Sequence, residues 1–144
     1  MMNNASTITG CTHEGVQVYG TFTMNGGSIN SNGEGGVNVG SPTKENAIFI
    51  MNGGIIENNK ATNGGGGVSI WSGTFTMKDG RIQKNKTSKD GGGVYVSHGD
   101  FYMTGGTIYG SNRGSYANKA GWRGDAVYDN NKVFKARNRT IYQH

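Results

Sequence analysis

Apolar and polar residues alternate in a short pattern that occurs four times along the chain. Each copy has a Phe, a Met two residues later and an Ile five residues after the Met. The four Phe residues are separated by 27, 26 and 26 positions, and the Met and Ile residues keep the same separations. A fixed period of this size predicts one structural unit stacked on copies of itself. The residues of the pattern are Phe22, Phe49, Phe75 and Phe101, with Met24, Met51, Met77 and Met103, and Ile29, Ile56, Ile82 and Ile108.

The alternation inside each unit has period two, which is typical of β-strands. One short strand is centred on Phe-x-Met, a second on Val-x-Val as at 94–96, and a third on the Ile. Because each strand recurs only after a whole unit, we expect it to pair in parallel with its counterpart in the next unit. The sequence therefore predicts an all-β fold, a right-handed parallel β-helix with three short strands in each coil. The spacing predicts about four to five coils of 21–33 residues.

Spacing inside the units predicts a single domain over residues 1–144. Val94, Phe101 and Ile108 are seven residues apart, and the same interval separates Val127, Phe134 and Ile141. We therefore expect regular coils over 8–112, an enlarged turn at 109–126 and a degenerate basic last coil or cap at 127–144. A smaller insertion is expected at 41–46, around the single proline.

The net positive charge is concentrated in the C-terminal part of the chain. The net charge is +5, and the residues from 113 onward contain seven basic and two acidic side chains, so they carry the whole excess. Two interpretations stay open: an anion-binding patch, or a charged guard that keeps the last strand edge from pairing with other chains. Nucleic-acid binding is not expected, because no motif for it accompanies the charge. The candidate residues are Lys132, Lys135, Arg137 and Arg139.

Aromatic residues provide the second candidate site. Tyr95 and Tyr102 take outward positions of their strands by alternation, and Trp71 and Tyr109 lie in neighbouring segments. Outward aromatic rings favour a platform on which sugars stack, and the many Asn and Ser residues would orient sugar hydroxyls. Packing within turns is the alternative interpretation.

No pattern in the sequence indicates catalysis. The carboxylates and the three His residues fall in turns and recur in no common column, so we expect no enzyme activity, no metal and no cofactor. Asn32, Asn59 and Asn85 follow their Ile by three residues and Asn112 follows by four. This spacing predicts a ladder of amides that hydrogen-bond from unit to unit.

Ile82-Gln83-Lys84-Asn85 followed by Gly92-Gly93-Val94 resembles the β-helix repeats of bacterial surface proteins, including the passenger regions of chlamydial polymorphic outer-membrane proteins. The resemblance covers residues 8–112. It implies an extracellular stalk or adhesin segment whose partner is a host or cell-surface glycan or protein. The chain has no long apolar run, so no membrane insertion is expected, and no signal peptide is recognised at its start.

These observations predict a structural or adhesive surface module without catalytic activity. Two alternatives remain open: a carbohydrate-binding or polysaccharide-processing β-helix, and a subunit that self-associates through the strand edges at the helix ends.

Overall fold

The computed structural model describes residues 1–130 together with the strand residues 135–136 and 140–141. Within these residues the protein is all-β, and its only helix is the single 3₁₀ turn η1 (Gly114–Tyr116). No described helix is long and apolar enough to cross a membrane. In chain order the strands are β1 (Thr7–Thr9), β2 (Val16–Val18), β3 (Thr21–Met24), β4 (Ser28–Asn30), β5 (Val37–Val39), β6 (Ile48–Met51), β7 (Ile55–Glu57), β8 (Lys60–Ala61), β9 (Val68–Ile70), β10 (Thr74–Met77), β11 (Arg81–Gln83), β12 (Lys86–Thr87), β13 (Val94–Val96), β14 (Asp100–Met103), β15 (Thr107–Ile108), β16 (Lys119–Ala120), β17 (Val127–Asp129), β18 (Lys135–Ala136) and β19 (Thr140–Ile141).

The strands form four parallel sheets, and each strand pairs with its counterpart in the neighbouring unit. We name each sheet after its recurrent residue. The Ile sheet has the order β1-β4-β7-β11-β15-β19, the Val sheet β2-β5-β9-β13-β17, the Phe sheet β3-β6-β10-β14-β18 and the Lys sheet β8-β12-β16. The chain visits the Ile, Val and Phe sheets in that order and then returns to the Ile sheet one position further along.

The strand register confirms the columns of identical residues predicted from the spacing. Phe75 pairs with Phe49 on one side and Phe101 on the other, and the Met and Ile residues pair in the same way. The rings of Phe49 and Phe75 stack with centroids 4.6 Å apart and planes 8° apart. These residues are fully buried, and each such side chain contributes about 1.5–3 kcal/mol to stability through removal from water. The core therefore runs as continuous apolar columns between the sheets.

A fourth strand in the later units was not expected. The first Val of the next strand follows the Asn of the predicted ladder by five positions in the second unit (Asn32 to Val37) but by nine in the third (Asn59 to Val68). The four additional residues contain β8, and the equivalent segments contain β12 and β16. The prediction of three strands in every unit is thus right for the first two units only.

A column of small residues precedes each strand of the Val sheet. Its glycine members face Ile and Asn side chains of the core. A Cβ on Gly67 would lie 2.6 Å from the carbonyl oxygen of Gly93 and 2.8 Å from Cγ2 of Ile82, so no larger side chain fits there without displacement. The recurrent Gly-Val pair of the sequence is therefore a packing requirement. The column contains Gly15, Gly36, Gly67, Gly93 and Ala126.

A buried ladder of asparagines joins the Ile sheet to the next segment of each unit. Asn59 donates from its backbone N and from Nδ2 to Oδ1 of Asn85, at 3.1 and 3.0 Å, and its Nδ2 also donates to the carbonyl oxygen of Ile29 at 3.0 Å. Asn32 makes the same contacts to Asn59. In the first unit the half-buried Cys11 takes the corresponding position and donates its backbone N to Oδ1 of Asn32.

The prediction that Asn112 is the fourth member of this ladder was wrong. Asn112 is exposed, whereas Asn118 is fully buried and accepts from both nitrogens of Asn85. Residues 109–117 leave the repeating path, include η1 and return at Asn118. The inserted part of the expected turn at 109–126 is thus its first half, since Lys119–Ala120 pairs with β12.

Beyond the insertion, strand pairing continues into the basic end of the chain. Val127 pairs with Val94, Ala136 with Met103 and Ile141 with Ile108. Phe134, the predicted member of the Phe column, lies outside the described residues. At the other end, Met2 is buried beside Met24 and forms an isolated bridge with it, while Phe22 is only partly buried.

Candidate functional site

The outer face of the Val sheet carries a row of polar and aromatic side chains. Because alternate residues of a strand point to opposite faces, the central residue of each Val-x-Val strand points outward. The strand register places these five residues side by side along the stack. They are Gln17, Asn38, Ser69, Tyr95 and Tyr128.

The position directly after each Val-x-Val strand adds two exposed aromatic residues. Tyr19 follows the strand of the first unit and Trp71 that of the third, and they are 56% and 37% exposed. Gly40 holds the same position in the unit between them. Since neighbouring strands are about 4.8 Å apart, the backbones that carry the two aromatic residues are separated by about 10 Å. A Cβ at Gly40 would collide with the carbonyl oxygen of Ser72, and the backbone there has φ 75°, so this position requires glycine and no side chain stands between the two aromatic residues.

A groove of about 260 Å³ is lined by both aromatic residues and by Gly40, and we call it the Tyr19–Trp71 groove. Every residue that lines it is uncharged. The lining residues are Gln17, Tyr19, Asn38, Gly40, Ser41, Pro42 and Trp71. Apolar rings at the sides and polar groups within reach are the usual composition of a small-molecule site.

Two amides supply the polar groups of the groove. Asn38 donates from Nδ2 to Oε1 of Gln17 at 2.8 Å, and Gln17 donates from Nε2 to the carbonyl oxygen of Gly40 at 3.3 Å. The buried Oδ1 of Asn38 has no hydrogen-bond partner within the described part of the chain. A buried acceptor without a partner costs about 1–3 kcal/mol, and because this oxygen is closed to solvent, a ligand hydroxyl reaches it only after the Asn38 side chain moves.

The insertion at 41–46 forms one wall of the groove. Ser41 and Lys44 exchange backbone hydrogen bonds, which closes the insertion into a tight turn around Pro42. Ser72, the neighbour of Trp71, donates from Oγ to the carbonyl oxygens of Ser41 at 2.7 Å and Lys44 at 3.2 Å. The wall is therefore tied to the strand that carries the Trp.

A second cluster of aromatic residues begins on the other side of Trp71. Its ring meets the edge of Tyr95 with centroids 6.4 Å apart, and Tyr95 stacks on Tyr128 at 6.0 Å with planes 5° apart. The guanidinium carbon of Arg123 lies 4.3 Å from the centre of the Tyr128 ring. A small cavity of about 110 Å³, lined in part by Trp71, Tyr95 and Asp90, opens here.

Arg123 is held by a two-point contact with Asp90. Nε and Nη2 of Arg123 donate to the two carboxylate oxygens of Asp90, at 3.0 and 2.9 Å. The Asp90 side chain is 11% exposed and that of Arg123 is 61% exposed. The hydrogen bond to Asp90 raises the pKa of Arg123 above its usual value, so the guanidinium stays charged at every working pH. The pair fixes the second aromatic cluster in place.

The structure brings together only two of the four aromatic residues proposed from the sequence. Trp71 and Tyr95 are in contact on the outer face of the Val sheet. Tyr102 lies on the Phe sheet in register with Thr76, and Tyr109 lies in the insertion against Tyr116 at 5.6 Å. The four residues do not form one platform.

The basic candidates fall at the end of the chain. Lys135 is the first residue of β18 and pairs with Tyr102. Lys132, Arg137 and Arg139 lie outside the described residues. Among the residues that are described, no group of three or more His, Cys, Asp or Glu side chains is arranged to hold a metal ion.

Comparisons with protein-family models, with curated proteins and with solved structures found no match for this chain.

Tyr19 is the functional candidate that sequence reasoning missed. Its signal was present, because Val16-Gln17-Val18-Tyr19 and Val68-Ser69-Ile70-Trp71 place an aromatic residue at the same point of two units. The two residues are 52 positions apart, so their relation emerges only when the units are aligned on the Val strands.

Proposed function

We propose that this chain is a right-handed parallel β-helix that acts as an adhesive surface module and binds an uncharged glycan in the Tyr19–Trp71 groove. The β-helix is supported by the parallel pairing of every strand with its counterpart and by the fixed order in which the chain visits the sheets. Right-handedness follows from the general chirality of connections between parallel strands. The cell-surface location rests on the resemblance to surface repeats described above.

The observation that carries the binding proposal is the pair of exposed aromatic residues on either side of Gly40. A ring in van der Waals contact with two aromatic faces needs about 7–8 Å between them. The separation of about 10 Å set by two strand spacings accommodates such a ring with small movements of the side chains. Sugar rings have C–H faces that stack on aromatic rings and hydroxyls that bond to amides, and both kinds of partner line this groove.

The uncharged lining indicates which glycans fit. No carboxylate or basic side chain lines the groove, so it offers no partner for an acidic or cationic sugar. The side-chain amides of Gln17 and Asn38 line the groove and offer hydrogen bonds to sugar hydroxyls. We therefore expect neutral hexoses or N-acetylated amino sugars at the end or within a chain.

A binding assay with single-residue variants tests this function. The chain is applied to an array of neutral glycans, and the affinity for the best ligand is measured for Tyr19→Ala, Trp71→Ala and Tyr102→Ala. We expect about tenfold weaker binding for each of the first two variants, which corresponds to about 1.4 kcal/mol of lost stacking. Tyr102→Ala is the control, because it removes an aromatic residue from the Phe sheet.

Equal binding by all three variants would contradict the proposed groove, and loss of binding in Tyr102→Ala alone would move the site to the Phe sheet. Incubation of the same glycans with the chain, followed by assay of new reducing ends, examines the alternative of a polysaccharide-processing enzyme. The proposal expects no release of reducing ends.

A further inference from the structure

Three lysines form a row along the stack, on the Lys sheet. Lys86 is in register with Lys60 on one side and with Lys119 on the other, and all three are exposed. The residues that follow them, Ala61, Thr87 and Ala120, are more buried, as the alternation of a strand requires. Three positively charged side chains thus leave one outer face from backbone positions about 4.8 Å apart. We call these residues the lysine row.

Such a row is electrostatically unfavourable by itself. Unit charges about 4–5 Å apart repel by about 1 kcal/mol in water, and like charges directly opposite each other destabilise a sheet. In the described part of the chain the ion pairs are Lys84 with Glu57 and Arg123 with Asp90, so no carboxylate pairs with a member of the row. Within the described residues, no ion pair compensates the charges of this row.

The carboxylates of the neighbouring segments are occupied elsewhere. Glu57 accepts from Nε2 of Gln83 and pairs with Lys84. Glu34 accepts from the backbone N and the hydroxyl of Thr62, and Asp125 accepts from the backbone N of Ala120. These contacts hold the acidic side chains to turns around the row.

The lysine row also lines a groove of about 370 Å³. One side of the groove contains Lys60, Lys86 and Lys119, together with Lys84. The other side is formed by the insertion, through Gly114, Ser115 and Ala117. A second groove of about 350 Å³, which Lys60 and Lys86 share, lies on the opposite flank of the row. An extended polymer bound along the row would therefore contact the insertion on one flank and border the second groove on the other.

We propose that the lysine row binds an acidic polysaccharide whose chain runs along the stack, across the strands. Acidic groups repeated along an extended polysaccharide would pair with the ammonium groups that the row presents one after another. Asn58 and Ser115 provide polar groups for the intervening hydroxyls. This site is separate from the Tyr19–Trp71 groove and does not depend on it.

The lining of the groove favours a polysaccharide over a nucleic acid. Sites for single-stranded nucleic acid use aromatic rings on which bases stack, and no aromatic residue lines this groove. Successive phosphates of one duplex strand rise by about 3.4 Å along the helix axis and also wind around it, so they lie further apart than the interval of about 4.8 Å along the row. Carboxylate and sulfate groups on sugars pair with ammonium groups and need no aromatic residues for stacking.

Two variants with the same change of charge test the inference. The row variant is Lys60→Gln, Lys86→Gln and Lys119→Gln together, and the control is Lys44→Gln, Lys78→Gln and Arg81→Gln together. All six side chains are exposed, and each variant lowers the net charge of +5 by three. Thermal unfolding followed by circular dichroism establishes that both variants fold. Binding of heparin, polygalacturonate and a single-stranded oligonucleotide is then measured by calorimetry at 50 and 200 mM salt.

We expect the row variant to bind the acidic polysaccharide at least about tenfold more weakly, with a salt dependence lower by about two to three counterions, whereas the control changes much less. Heparin or polygalacturonate as the better ligand distinguishes sulfate from carboxylate recognition. Equal weakening in both variants would mean that net charge alone binds polyanions and would overturn the site. Tighter binding of the oligonucleotide than of either polysaccharide would overturn the ligand class. We expect Trp71→Ala to bind heparin as the unchanged protein does. The assays therefore distinguish a failure of the proposal for the Tyr19–Trp71 groove from a failure of the proposal for the lysine row.

Discussion

Asn85 donates from Nδ2 to Oδ1 of Asn118 at 3.0 Å, although 33 residues separate them along the chain. The same Nδ2 also donates to the carbonyl oxygen of Ile56 at 2.9 Å, and both asparagines are almost completely buried. Each of Asn32, Asn59 and Asn85 therefore donates both to the backbone of the preceding unit and to the side chain of the next Asn. Because a buried polar group without a partner is costly, the ladder is sensitive to the loss of any inner member.

We predict that Asn85→Ala lowers the free energy of unfolding by at least about 3 kcal/mol, because both nitrogens of Asn59 lose their acceptor and Ile56 loses its donor. Denaturant unfolding measures the change. The matched control is Asn112→Ala, which truncates an exposed amide and should alter stability by less than about 0.5 kcal/mol. A similar loss in the two variants would contradict the ladder as described.

The comparison of Asn112 with Asn118 also shows how much of the ladder the sequence predicts. Regular spacing after each Ile predicted the first three ladder members, and the all-β parallel pairing followed from the period. The fourth member is ten residues after Ile108 instead of three, because seven residues are inserted between them. Spacing alone does not say where an insertion ends. The alternative signal was the triplet Asn-Lys-Ala or Asn-Lys-Thr, which begins at Asn59, Asn85 and Asn118 and locates both the ladder and the lysine row.

The candidate sites were harder to predict, because the charged and aromatic residues that stacking brings together are far apart along the chain. Lys60 and Lys86 belong to the part of the sequence whose net charge is zero, yet stacking aligns them with Lys119. Tyr102 was expected to join Tyr95, since both point outward. Tyr95 lies in the Val sheet and Tyr102 in the Phe sheet, so their side chains point outward from two different faces of the molecule.

We predict that Gly67→Ala destabilises the protein by about 2 kcal/mol, within the range found for overpacked cores. The added methyl group would lie within 3.0 Å of the Gly93 carbonyl oxygen, Ile82 Cγ2 and Asn85 Nδ2, so it presses on the Ile column and the ladder together. Gly20→Ala is the control, because a Cβ there would have no atom within 4 Å. Its stability, measured by thermal and denaturant unfolding, should stay the same or rise by a few tenths of a kcal/mol. If Gly67→Ala proved as stable as the control, the column of small residues would have no packing role.

The insertion at 109–117 is expected to be dispensable for the fold. Deletion of residues 110–116 joins Tyr109 to Ala117 and restores the interval of three residues between Ile108 and Asn118. Ala117 would then take the position of Ser31, Asn58 and Lys84, all of which have φ between 55 and 57°. Alanine in this left-handed conformation costs about 1–2 kcal/mol, so the deletion should be combined with Ala117→Asn.

We predict that this shortened chain unfolds cooperatively, with a free energy of unfolding within about 1 kcal/mol of the full chain. The backbone N of Lys84 loses the carbonyl oxygen of Tyr116, but Ser31 bonds to the carbonyl of Glu57 in the regular arrangement, and Tyr109 offers the equivalent oxygen after the deletion. Ala117→Asn in the full-length chain separates the effect of the substitution from that of the deletion. A shortened chain that loses more than about 3 kcal/mol would show that the insertion is part of the folding unit. If it instead stays folded but binds heparin more weakly, the insertion serves the lysine-row groove, whose wall includes Gly114 and Ser115.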